Sequence, residues 1–567
     1  MNKRIFTESD GIEDQILQNK HAAKMLEEVK RAAEKFSREP VVALDFRSFY
    51  TFYETGNREI FEAKYFNRRA RLNAFTLLLF LYGDESYARA LEDCIWAICD
   101  EYTWALPAHF PSTLSPEDAY EVIDLFSAET GFALCEVLRL VEEKIHPMVA
   151  ERVKHEIKKR IVDSYLKNSF KWETERHNWA AVCAGSVGAI FLYFDQPQLI
   201  QTILPRILAT MECYLQSLAG DGTCFEGYEY FKYGFGYFTY FSQLLYQYSG
   251  GEIDLFAHSK VEKTAQFPQK VILNYGKIIN FADSVCDCWH LPGLSSFLAA
   301  KYDTVDMLPL EDCVSFGDDT EYRFAHFIRD FVWLAYYDGD KIQTTAHNKK
   351  YSYFPESELF VKTTNHYEFA AISGKNNVPH NHNDVGSFIL RRHGDGVVED
   401  LGKSLYCADY FNEKRYDFLT TSSRGHSVPI IGGTFQKPGD DFYGKVISAD
   451  GNSFSLEMEH AYDYAPLRSL VRSFVLTDSK VSLCDTFLFA EPESNLVERI
   501  TTCSEPEIVG EDVYVCGKKL GYRQEIWQVG VSSEIYTTIC GDITAYLIDF
   551  TLKSAAKEAI FELAIEF

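Results

Sequence analysis

Residues 379–388 read Pro-His-Asn-His-Asn-Asp-Val-Gly-Ser-Phe, which places two imidazoles and a carboxylate, His380, His382 and Asp384, at alternate positions. Imidazole titrates near neutrality and ligates metals, so this spacing suits proton transfer or metal binding. In an extended strand alternate side chains share a face, and the three would project together with Asn381 and Asn383 opposite. The ordinary alternative is a polar strand end whose side chains bond one another. Further on, Asp400 lies in Val398-Glu399-Asp400-Leu401-Gly402 and His426 in Ser422-Ser423-Arg424-Gly425-His426-Ser427. With His382 they form a two-histidine, one-carboxylate set of the kind that holds zinc.

Three other segments have chemistry-capable residues. Glu175-Arg176-His177-Asn178-Trp179 opens a helix. Backbone N–H groups there favour anions, and the Asn178 amide can donate to a carboxylate. The competing reading is a helix cap with an anchoring tryptophan. Gly220 to Gly234 holds two glycine turns that deliver Tyr228, Tyr230 and Tyr233 onto the next helix. A tyrosine whose pKa is lowered by cations can act as base or acid, though most of this cluster reads as aromatic core. Trp104-Ala105-Leu106-Pro107-Ala108-His109 is a loop after a helix, either a sugar platform or simply packed.

The elements that must position these groups change along the chain. Apolar residues recur at helical spacing over Ile12 to Phe36, Arg69 to Tyr82, Tyr87 to Asp100, Pro116 to Ile145, Val149 to Leu166, Trp179 to Phe194, Pro197 to Ala219 and Tyr228 to Tyr248. After about Thr320 the runs become short and strand-like: Glu358 to Val361, Glu368 to Ile372, Ser387 to Arg391, Lys445 to Ser448, Ser453 to Met458 and Ser473 to Leu476. Asp450-Gly451 and Asp478-Ser479 mark hairpins between them. The expected organisation is a helical toroid or solenoid over residues 1–320 and an antiparallel sandwich or stacked β-sheets over 321–567.

Composition narrows the partners. The 567 residues are 46% hydrophobic, enough for more than one core. A formal net charge of -27 speaks against a nucleic-acid partner, and an acidic substrate would need a local basic pocket. Arg176, Lys232, Arg391 and Arg392 are candidates for that charge. The longest apolar run, Ala74 to Tyr82, is too short to span a bilayer. The start shows no signal-like apolar segment, and the 14 cysteines are scattered through apolar stretches. Both point to a cytoplasmic protein with reduced thiols. Cys286 and Cys288 form an isolated pair that reads as structural.

Taken in order, the motifs resemble the heparinase II/III-like polysaccharide lyases. These are a Trp-x-x-Pro-x-His loop, an Asn-Trp helix start, an Asp-Gly-x-x-x-Glu-Gly-x-x-Tyr segment, a His-x-His-x-Asp strand, an Asp-x-Gly strand and a Ser-x-x-His strand, spread from about Arg69 to Gly433. The resemblance implies an incomplete (α/α) toroid followed by antiparallel β-sheets. It implies cleavage of uronic-acid glycans by β-elimination, on glycosaminoglycans such as heparin, heparan sulfate, hyaluronan or chondroitin sulfate, with alginate-like polyuronates as the alternative. It assigns Asn178 and His380 to the substrate carboxylate. Tyr230 would be base, acid or both, and His177 the base for the other C5 epimer. Trp104, His109, Glu226, Tyr233, Arg415 and Tyr416 would line the groove, with Tyr233 also the fallback for Tyr230. His382, Asp400 and His426 would hold a divalent metal, zinc first, with manganese or calcium behind it. A homodimer is compatible with this reading. A uronide hydrolase on the same helical architecture is the rival; it needs two carboxylates, and Glu226, Glu229 and Asp124 are available. A catalytically silent binder is the third reading.

Overall fold

A computed structural model describes residues 1–111, 115, 118–287, 289–337 and 351–567. The chain forms two compact units, each assembled from separate stretches. One comprises Met1–Ser217, Tyr230–Ala265 and Trp289–Thr344; the other comprises Leu218–Glu229, Gln266–Cys288 and Thr345–Phe567. Two short segments embedded among the helices, carrying Glu226 and Asp283, thus belong to the sheet-bearing unit.

The first unit is helical. The helix Asn178–Phe194 is buried along almost its whole length and apolar nearly all round, as a helix surrounded by others must be. Glycines let its neighbours close in. A Cβ on Gly188 would stand 2.4 Å from the Phe241 ring, and one on Gly131 would stand 2.8 Å from Ile190. The expected helix over Ile12 to Phe36 is two, Glu13–Gln18 and Lys20–Arg38, because the Asn19 side chain accepts from the His21 and Ala22 N–H groups and starts the second afresh. The segment expected from Pro116 begins outside the described residues; its helix covers Leu125–Val141, capped by Asp124. Two helices contain a π-helical turn, at Lys158–Val162 and at Phe231–Phe235, which periodicity does not reveal. A further helix, Phe324–Tyr336, lies past the expected change of pattern at Thr320. Among the described residues no helix is long and apolar enough to cross a membrane.

The second unit is built of antiparallel sheets. Strands β1 (Tyr351–Phe354), β2 (Leu359–Thr363), β3 (Glu368–Ile372), β4 (Phe388–Arg392) and β5 (Asp395–Val398) form a meander in chain order. An eight-stranded sheet follows, centred on the long pairing of Lys480–Glu493 with Leu467–Leu476 and Ala556–Glu566. The hairpin Trp527–Thr538 and Gly541–Leu552 belongs to a four-stranded sheet. Buried and less buried residues alternate along strands such as Lys480–Glu493, while β2, β3 and β4 are buried on both faces, and rings meet between sheets: Phe369 lies 5.0 Å from Phe474, and Phe550 lies 5.2 Å from Phe561.

One buried cation ties this core to the loops above it. Arg472, fully buried, pairs with Asp485 at 2.6 Å and Glu498 at 3.1 Å. It also donates to the carbonyls of Gly386 (2.8 Å) and Ser427 (2.7 Å), which adjoin the His-x-His stretch and His426. Removing one partner of such a cluster leaves uncompensated charge in a low-dielectric core. Arg472→Met should lower unfolding free energy by about 3–5 kcal/mol in urea titration, a loss far above the ~0.5 kcal/mol of an ordinary surface change.

Candidate functional site

The stretch from Pro379 to Gly386 is a loop between β3 and β4, not the extended strand its alternation suggests. His380 takes a left-handed backbone conformation (φ 59°), and Gly386 does likewise (φ 88°), so the chain turns twice where a strand would run straight. His380 and His382 nevertheless converge, because both reach one carboxylate. Asp283 accepts from His380 Nδ1 at 2.8 Å and from His382 Nε2 at 3.0 Å. Arg415 Nη2 lies 2.9 Å from Asp283 Oδ2, and the Tyr410 hydroxyl donates to Oδ1 at 2.7 Å. Asp283 is completely buried. Burial alone would raise its carboxyl; the bonds from His380 and His382 and the charge of Arg415 overturn that and hold it well below the usual carboxylate range. Arg415 is therefore engaged inside the protein, and Tyr416 donates to the Asn381 side chain at 2.9 Å. On its other edge, His380 Nε2 stands 3.6 Å from the buried Glu226 carboxylate.

Beside this hub lies a second cluster. His382, Asp384, Asp400 and His426 are all buried, and one ligand atom from each lies within 4.8 Å of the others; it is the only such group among the described residues. Each outer atom is already satisfied. His382 gives Nε2 to Asp283, His426 gives Nε2 to the Thr420 carbonyl at 2.9 Å, and Asp400 Oδ1 accepts from the Gly402 N–H at 2.8 Å. The inward atoms, His382 Nδ1, His426 Nδ1 and Asp400 Oδ2, have no hydrogen-bond partner. His426 Nδ1 and Asp400 Oδ2 are 3.0 Å apart but not aligned as a hydrogen bond. Orphaned buried donors with satisfied outer atoms fit a divalent cation. Asp384 is an addition to the expected ligand set, and burial pushes its carboxyl up to about 7.

The helical unit holds the remaining groups. His177 caps the helix Asn178–Phe194 through Nδ1, and its Nε2 bonds Glu175 at 2.8 Å. Asn178 is buried in the first turn. Trp179 contacts both the His177 ring (6.4 Å) and His109 (4.8 Å). His109 Nδ1 bonds Asp124 at 2.8 Å, and Asp124 also accepts from Ser127 as a helix cap. Trp104 is core: it is buried, its indole N–H bonds the Ile98 carbonyl, and Arg160 covers its ring at 4.9 Å. Tyr230 is half-buried and sits where α-helix passes into the π-helical turn. Tyr233, one turn on, is buried and donates to Glu129, and burial raises its hydroxyl further above its ordinary value. Lys232 is buried against the Trp289 ring. Arg391 is paired with Glu399 at 3.0 Å.

Asp283, Tyr410 and Glu129 were invisible to motif reading, because each lies far in sequence from the group it serves. Alone, a Phe-Ala-Asp-Ser stretch carries no signal. Cys288 of the expected structural pair lies outside the described residues; Cys286 is a free thiol.

No protein-family model and no curated protein matches the sequence. Solved structures match it in fold. Heparinase III, 12% identical, covers 96% of this chain and 91% of its own, with a TM-score of 0.62. The heparan sulfate lyase of Pedobacter heparinus, 13% identical, covers 95% and 87% with a TM-score of 0.55. Chondroitin AC lyase of Streptomyces coelicolor, in complex with chondroitin sulphate, is 10% identical and covers 98% and 82% with a TM-score of 0.56. The chain thus shares with these proteins a fold of helices in the N-terminal half and antiparallel sheets in the C-terminal half.

Zinc added to chelator-treated protein should raise its thermal midpoint, since a ligand at a hundred times its Kd adds about 2.7 kcal/mol. His426→Gln should abolish the rise; a wild-type midpoint indifferent to both zinc and chelator would remove the metal reading. A second expectation concerns Glu129, whose carboxyl burial pushes up to about 8. The fold keeps this proton while the unfolded chain releases it above about pH 4.3, so stability should fall as pH rises from there toward about 8. Glu129→Gln should flatten that slope in urea midpoints taken across the window.

Proposed function

We propose that this protein is a polysaccharide lyase that cleaves uronic-acid-containing glycans by β-elimination. The observation that carries the proposal is the fold likeness over nearly the whole chain to lyases whose names include heparan sulfate, chondroitin and xanthan. The same likeness supports reading the helical unit as an incomplete (α/α) toroid. Glycosaminoglycan-type substrates are the first choice and polyuronates such as alginate the second.

The chemistry needs three things. The C5 carboxylate must be held so that charge can develop on an enolate-like intermediate. A base must take the C5 proton, and an acid must protonate the leaving O4. We assign the carboxylate to Asn178 and to His380, whose Nδ1 is anchored by Asp283. Tyr230 is the base and acid. Its rival Tyr233 is buried and already bonded to Glu129, which favours Tyr230. His177 is assigned the base role for the other C5 epimer; its Nδ1 accepts from the Trp179 N–H and its Nε2 bonds Glu175, so taking the C5 proton requires it to give up the capping bond or the bond to Glu175. The hydrolase reading loses one of its carboxylates, because Asp124 is committed to His109 and to capping.

His382, Asp400, His426 and Asp384 would hold the metal, and two imidazoles with two carboxylates suit zinc better than calcium, which prefers all-oxygen shells. When bound, the ion would supply positive charge and rigidity to the loops around it. The described cysteines are free thiols, many of them buried, which supports a reducing compartment.

The test is incubation with heparin, heparan sulfate, hyaluronan, chondroitin sulfates and alginate, following the unsaturated product near about 232 nm that C5 proton abstraction creates. One substrate should give a rise. Tyr230→Phe should lower kcat by about 10²–10⁴ with little change in KM. A flat trace with new reducing ends would move the assignment to a hydrolase.

A further inference from the structure

We infer that Asp283 couples the metal cluster to His380, so that filling the cluster changes how firmly the His380 ring is held, and changing His380 alters metal affinity although His380 is not a ligand. The inference rests on the metal reading of the cluster and not on the lyase activity.

The connection is direct. His382 directs Nδ1 into the cluster and Nε2 at Asp283 Oδ1, 3.0 Å away. Asp283 Oδ2 meets His380 Nδ1 at 2.8 Å. One carboxylate therefore stands between a metal ligand and a residue assigned to substrate. It is also saturated: Arg415 and Tyr410 take its remaining capacity, and a carboxylate offers about four acceptor positions. Four donors divide a single negative charge, so strengthening one bond weakens the others. Donation of the His382 Nδ1 lone pair to a cation draws electron density from the ring and makes its Nε2–H a stronger donor to Asp283. The bond to His380 must then weaken. Linkage makes the effect reciprocal: removing His380 leaves more of the carboxylate for His382 and improves His382 as a ligand.

Backbone conformation points to the same pair. Ala282, immediately before Asp283, and His380 both take left-handed conformations, with φ of 63° and 59°. Alanine rarely takes that region and histidine does so more readily, and strain at a residue such as Ala282 persists where the surroundings over-determine the geometry. The turn immediately before Asp283 is thus held in an uncommon conformation. Asp283 acts here as a positioning residue, through two histidines.

The test needs no substrate. Zinc affinity is measured by competition with a chromophoric chelator for the wild type, His380→Gln, Asp283→Asn and the double variant. His380→Gln should tighten zinc binding about fivefold or more, the lower end of coupling between sites. Asp283→Asn should weaken zinc binding about 10–100-fold, as loss of a supporting carboxylate does, and His380→Gln should then have no further effect. If Asp283→Asn does not fold, zinc titration into histidine-labelled wild type provides the second readout. The His380 Nδ1 resonance, identified by its loss in His380→Gln, should move as zinc enters. An unchanged affinity in His380→Gln together with an unmoved His380 resonance overturns the inference. So does an equal change with and without Asp283, and so does a wild type that takes up no zinc.

Discussion

A carboxylate completely removed from water must be compensated by donors or it will take up a proton. Asp283 is compensated four times, by His380, His382, Arg415 and Tyr410. These donors come from two loops that are otherwise irregular and rich in polar groups. The loops also bury Val385, Leu401, Leu419 and Val428, so apolar packing and the charged hub act together to fix their course.

The same logic extends outward through Arg472. Its guanidinium is balanced by Asp485 and Glu498 in the sheet and spends its other donors on the carbonyls of Gly386 and Ser427. Buried ion clusters add little net stability compared with apolar packing of the same volume. Here the cluster fixes the heights of two loops above a sheet, which a methionine of similar size would not do. In the helical unit, helix caps serve a comparable purpose. His177 and Asp124 each satisfy backbone N–H groups while presenting a second polar atom to a neighbouring side chain. A residue committed in this way has few rotamers left, which suits a group that must meet a ligand in one orientation.

A net charge of -27 works against the acidic polysaccharide proposed as substrate. Screening resolves much of the conflict, since at physiological salt fields fade over about 8–10 Å. The overall charge then slows encounter more than it weakens contact. Much of the chain's arginine is internal: Arg69 pairs with Glu101, Arg329 with Glu136 and Arg472 with Asp485. On the proposed reading, the charge that meets a polyanion would come from few residues, and the orientation of each would matter more.

Periodicity alone identified the long helices such as Asn178–Phe194 and Pro197–Ser217 and the antiparallel character of the C-terminal half, because the burial of one face writes itself into local spacing. The order of six weak motifs was enough to point to a fold later matched over nearly the whole chain. Three metal-binding candidates, His382, Asp400 and His426, were legible by residue type, and they do converge. What spacing could not supply was the conformation between β3 and β4, where alternation mimics a strand but side-chain demands on Asp283 bend the chain into turns. Nor could it supply Asp283 itself, nearly a hundred residues from the histidines it holds. Nor could it show that the Tyr233 hydroxyl is engaged by Glu129 across the helical unit or that a π-helical turn shifts the phase of the helix around it. Local sequence determines elements because their hydrogen bonds are local. Which buried charges find each other is decided by the tertiary fold, where low dielectric makes every unpaired polar atom costly.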